Sequence, residues 1–246
     1  VSDAVDGAHA SISSISITPN VAGTGIRIFD NPLATSNAYV QAIVGAGVVI
    51  TNGANGLIVE NETAQAISPV GNMAFSGQSS DHIKLINNAN NIDATAASFN
   101  GIPGGSATIS QLYTIEDKIN HKIDLNSLGF VTVKASHSYV TPNSFISPNT
   151  TPSVQRGIDA VAANGTVHIQ SGTTYTGGAD ASAKTVTLAP GASPSCVTIT
   201  GNLVLNSGDI LDIEADGTTA CTLYDQFIVN GTVTLGGATL NLILGY

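Results

Sequence analysis

The sequence predicts an all-β protein built as a β-solenoid, on three observations. The chain is poor in charge, its apolar residues alternate with a period of two, and one strand pattern returns along it. Charged residues are 10% of 246 while apolar residues are 42%, against about 25% charged in an average domain. Disorder needs low hydrophobicity together with high charge density. The chain therefore folds, and its period is that of strands and not of helices.

The first alternation is ISSISI, residues 12–17. Three segments then align: GIRIFD (Gly25 to Asp30), GLIVEN (Gly56 to Asn61) and HIKLIN (His82 to Asn87), spaced by 31 and 26 residues. Alternation sets Ile26, Leu57 and Ile83 on one face, with Ile28, Val59 and Leu85 beside them. Arg27, Ile58 and Lys84 point the other way. Asp30, Asn61 and Asn87 close the runs, and Asx residues tolerate the left-handed backbone of a sharp corner. Shorter alternations fall between them: AYVQAIV at 38–44, AISPVGNMAF at 66–75 and NIDATAASF at 91–99. Periods of 20 to 50 residues mark solenoids, whose units bury their apolar faces only by stacking.

These segments resemble the right-handed parallel β-helix of the pectin-lyase-like superfamily, from Ile12 to about Gly101. A second resemblance starts at SVQRGIDAVAANGTVHIQ. There Val154, Ile158 and Val161 share one face of a short helix, near 153–163, that Pro152 opens and Asn164-Gly165 ends. It resembles the helix that caps the open end of such β-helices. From Leu188 the strands TITGNLVL and YDQFIVNGTVTLGGATL resemble the repeats of autotransporter passenger domains. Three segments are thus expected: β-helix coils over 1–110, a joint over 111–151 that is charged and then carries Pro142 and Pro148, and a second β-helix over 152–246.

The excess of 17 acids over 7 bases, net −10, repels phosphate backbones and argues against a nucleic-acid partner. The longest strongly apolar run, Ala42 to Ile50, is far short of the ~20 residues of a spanning helix. Cys196 and Cys221 lie 25 positions apart with no zinc-ligand spacing. In a Thr-, Asn- and Ser-rich chain that reads as secreted, a disulfide is favoured over two free buried thiols.

Candidate chemistry is sparse. Asp209, Asp212, Glu214 and Asp216 in SGDILDIEADG form the densest acidic group and the one calcium candidate. A solvated strand face is the competing reading. Histidines 9, 82, 121, 137 and 168 are scattered, and no catalytic constellation or cofactor motif emerges. The β-helix resemblance implies polysaccharide lyases and glycoside hydrolases, but the acids do not pair as those reactions need. The preferred role is structural: an extracellular or cell-surface protein associating with itself head to tail. Its contacts would be Leu240, Leu242, Ile243 and Leu244 at one end and Ile12, Ile15 and Ile17 at the other. An adhesin or module binding cell-surface glycans is the alternative.

Overall fold

The computed structural model describes residues 9–29, 41–44, 47–60, 72–192 and 194–245, with 9–11 and 41–44 as backbone only. The described residues are mostly short strands in parallel pairs, with two α-helices. The fold is all-β. Contacts divide it into two units: Val1–Thr108, Asp117–Lys122 and Asn126–Ala135 in the first, and Ile109–Glu116, Ile123–Leu125 and Ser136–Tyr246 in the second.

In the first unit the principal ladder runs through Thr24–Phe29, Asn55–Glu60, Ile83–Ile86 and Ile119–Asn120, all parallel. Its register sets Ile26 on Leu57 on Ile83, and Ile28 on Val59 on Leu85, as alignment of the three segments requires. Ile28, Leu57, Val59, Ile83 and Leu85 are buried. Ile58 faces away from them yet is buried too, because Arg27 and Lys84 stand on either side of it in register. Arg27 also pairs with Glu60 and lies over the Phe29 ring at 5.2 Å. Asn87 has φ +48°, the left-handed corner expected of it; Asp30 and Asn61 lie outside the described residues.

A second ladder in this unit joins Ser16–Ile17, Val49–Thr51, Ala74–Ser76 and Ser98–Phe99. It sends Ile50, Phe75 and Phe99 into the core, where the two phenylalanine rings stack 5.6 Å apart. The neighbouring polar groups are bonded within the fold. The Gln78 amide donates to the carbonyls of Ile50, Asn52 and Ser76, and its Oε1 lies 2.7 Å from His82 Nδ1.

In the second unit the chain visits three ladders in a fixed order. The first holds His137–Val140, Gly165–Ile169, Val186–Pro190, Ile210–Glu214 and Thr239–Ile243. The second holds Thr174–Thr176, Cys196–Thr200 and Gln226–Asn230. The third holds Ala179–Asp180, Leu203–Val204 and Val233–Thr234. Val167 stacks on Leu188 and Tyr175 on Ile199, all buried.

Helix α2, Val154–Ala160, forms where expected and buries Val154 and Ile158. The ladder, however, begins before it, because His137–Val140 already pairs with Gly165–Ile169. The 111–151 stretch is accordingly part of the two units and not a joint between them. It gives strands Ile119–Asn120 and Val131–Thr132 to the first unit and His137–Val140 to the second. A further helix, α1, spans Ile109–Glu116 in the second unit.

Arg156 explains how part of this stretch is held to α2. It is buried, and its guanidinium donates to the carbonyls of Ile123 (2.5 Å), Ser144 (2.7 Å) and Thr151 (2.8 Å). A buried cation is tolerated only when its donors are satisfied in this way. Gly157, one residue on, faces Val140 and Val167 so closely that a Cβ would overlap both.

Among the described glycines of the first unit the tightest approach is at Gly129, where a Cβ would overlap the Asn90 carbonyl. Gly129→Ala is expected to lower stability by about 1–3 kcal/mol, read as a reduced urea midpoint. Gly105→Ala, which meets nothing within 4 Å, should leave the midpoint nearly unchanged.

Candidate functional site

The outermost strands of the second unit are more exposed than the strands that precede them in their ladders. Thr239–Ile243, Gln226–Asn230 and Val233–Thr234 each stand at the edge of their ladder. Their side chains continue the columns of the strands before them and, among the described residues, are largely exposed. Leu203 is 2% exposed, whereas its register partner Val233 is 48% exposed. Buried Leu188 leads to Leu211 and then to Leu240, which is 62% exposed. Leu242, Ile243 and Leu244 are exposed as well. In the first unit Ile15 is exposed and Ile12 and Ile17 are half-buried. Ser16–Ile17 and Thr24–Phe29 are edge strands there.

Cys196 and Cys221 are joined in a disulfide. It ties strand Cys196–Thr200 to the loop leading into Gln226–Asn230, the next strand of the same ladder. The 25-residue closure is worth roughly 3 kcal/mol in the chain-entropy model. The loop is further fixed by Asp225, which the sequence reading did not single out. Its two carboxylate oxygens accept the amides of Ser195 (2.7 Å) and Glu214 (2.8 Å). The only sequence signal was its place in YDQ, an Asx residue directly before a strand.

The acidic group does not converge on one point. Asp209 is buried, and its oxygens accept the amides of Val186 and Asn206. Asp212 accepts from the Asn241 side chain, and Asp216 from the Gly245 amide. These carboxylates fix neighbouring strands to each other. Among the described residues no three or more His, Cys, Asp or Glu side chains are arranged to hold a metal. Glu214 remains under strain from its surroundings: burial raises its pKa, and Asp225 and Asp216 raise it further.

The histidines fall into separate settings. His121 is buried on Phe130 and its Nδ1 accepts the Val131 amide. His137 Nδ1 lies 2.9 Å from His168 Nε2, with the His168 ring stacked on Tyr139. The side chain of His9 lies outside the described residues. Burial, assisted by Lys118, lowers the pKa of His82 to about 4.

The geometry thus defines an all-β protein of parallel ladders stapled by one disulfide, and among the described residues no helix is long and apolar enough to cross a membrane. No protein-family model, curated protein or solved structure matches the chain.

One imidazole and one carboxyl group give opposite pH responses. The folded state disfavours protonated His82, so its contribution is complete above pH 6.5 and is lost as pH falls through about 4. The loss should reach roughly 3 kcal/mol. Amides of Ile83–Ile86 should exchange faster on acidification across that window, and His82→Gln should flatten the response. Glu214 has the reverse sign: its protonated form is favoured, so stability is lost as pH rises through its raised pKa. Glu214→Gln should remove that loss, slowing exchange of the Ile210–Glu214 amides at neutral pH.

Proposed function

We propose that this chain is an extracellular or cell-surface scaffold, a right-handed parallel β-helix that stacks end to end on further copies of itself. The observation that carries this reading is the exposed apolar edge formed by Val233, Leu240 and Leu242, whose register partners are the buried Leu203 and the half-buried Leu211 and Ile213. Parallel edge strands present unpaired amides and carbonyls in the repeating pattern that another parallel strand completes. A second copy supplies strands of that kind at its Thr24–Phe29 and Ser16–Ile17 edges, next to Ile15. A contact between two different edges is heterologous, so it continues into a filament unless rotation closes it.

Right-handedness is favoured because parallel strands of one sheet are joined that way in about 98% of crossovers. The disulfide supports an oxidising compartment. The shortage of charge leaves few groups to desolvate when edges meet.

Sedimentation velocity and negative-stain microscopy over rising protein concentration test the proposal. Linear oligomers are expected, lengthening with salt because copies of net charge −10 repel one another. Leu240→Lys with Leu242→Lys should abolish them while leaving the monomer's circular dichroism intact. Monomers alone at high concentration and high salt, or oligomers unaffected by the double substitution, would sink it.

A further inference from the structure

We propose that the Cys196–Cys221 disulfide is a redox switch for assembly: copies stack at the terminal edge only after it has closed. The inference rests on the stacking reading above and adds its regulation.

Three observations put the disulfide in control of that edge. The strands that follow Cys221, namely Gln226–Asn230, Val233–Thr234 and Thr239–Ile243, each have a neighbour on one side only among the described residues. Cys196–Thr200, by contrast, lies between two strands. Singly paired, exposed strands sit at the low end of local stability, so what anchors the start of this pass decides whether it is ordered. Cys196 stands at that start. It is the register partner of Gln226, and its Sγ lies 3.6 Å from Gln226 Oε1.

The second observation is the loop. The amides of Cys221, Thr222 and Leu223 donate to the Tyr224 and Thr219 carbonyls inside it, and the sulfur bridge carries its tip to Cys196. Cys221 has φ +67°, a left-handed backbone that residues other than Gly, Asn and Asp adopt uncommonly and that persists where the surroundings hold it. The third observation is access. Cys221 is exposed and Cys196 half-buried, and exposed disulfides are the ones that thiols open and reform.

Closure is thiol–disulfide exchange, with a small-molecule or protein disulfide as oxidant. The Cys221 thiolate attacks that disulfide and expels one thiolate; the Cys196 thiolate then attacks the Cys221 sulfur of the mixed disulfide and expels the second. The chain loses two electrons and two protons, and the oxidant leaves as two thiols. Intracellular thiol pools keep such a pair open and an extracellular setting closes it, which confines stacking to the outside of the cell.

The test uses the full oxidised chain. Sedimentation velocity before and after tris(2-carboxyethyl)phosphine, with the released thiols counted, should show linear oligomers falling to monomers, and reoxidation by oxidised glutathione should restore them. Hydrogen exchange in the reduced chain should quicken at Gln226–Asn230 and Thr239–Ile243 by up to about a hundredfold, the worth of the lost loop closure. Exchange at Gly165–Ile169 should not change. Cys196→Ser with Cys221→Ser should stay monomeric in both conditions with the parent's circular dichroism. Oligomers that persist unchanged once both thiols are counted overturn the switch alone. Loss of protection at Gly165–Ile169 as well also overturns it, since the bridge would then be a general staple of the fold. An oxidised chain that never stacks overturns the stacking reading and the switch with it.

Discussion

Register is the constraint on which both units depend. Parallel strands can return to the same ladder only if the inward side chains of successive passes coincide, since a slip of one residue turns every apolar side chain to the wrong face. Backbone hydrogen bonds alone do not choose among registers. In the first unit the choice is enforced by columns such as Ile28, Val59 and Leu85. In the second unit carboxylates reinforce it. Asp209 and Asp225 each bond amides from two separate parts of the chain, and a slip would leave a buried charge with its acceptors empty. Their oxygens are occupied by backbone amides, and this gives the acidic stretch a structural task.

The same requirement accounts for the composition. Stacked passes bury both the apolar columns and many of the polar groups between them, so a charged or polar side chain drawn inside needs partners there. Arg156 satisfies its donors with three carbonyls. His82 stays neutral against Gln78. Small residues serve where backbones approach closely, as at Gly129 and Gly157.

The ladder of the first unit was readable in advance because the three aligned segments share one alternation and each closes on an Asp or Asn in the sequence. The α2 face was readable from Val154, Ile158 and Val161 for a similar reason, a period that residue identity displays. The 111–151 stretch was not. Its charged residues suggest a solvated connector, but Glu116, His121 and Asp124 are buried. Helix α1 has no acidic residue in its first turn and no basic residue in its last to announce it. Partners that belong to the backbone, such as those of Arg156 and Asp225, leave no trace in residue spacing. The pairing of Cys196 with Cys221 could be favoured from composition, whereas the unpartnered Ser195 hydroxyl beside it is visible only in three dimensions.

The disulfide also has a mechanical consequence. A protein pulled from its ends lengthens as each pass peels from the next, and the recoverable length is about 3.4 Å per released residue. The 25-residue separation between Cys196 and Cys221 is removed from that extension, about 85 Å of contour. Tension entering at Cys196 crosses directly to Cys221 and bypasses the intervening loop. The strands Ile210–Glu214 and Leu203–Val204, which lie inside the covalent ring, are thereby sheltered from load, so the ring would act as a stop against continued unravelling.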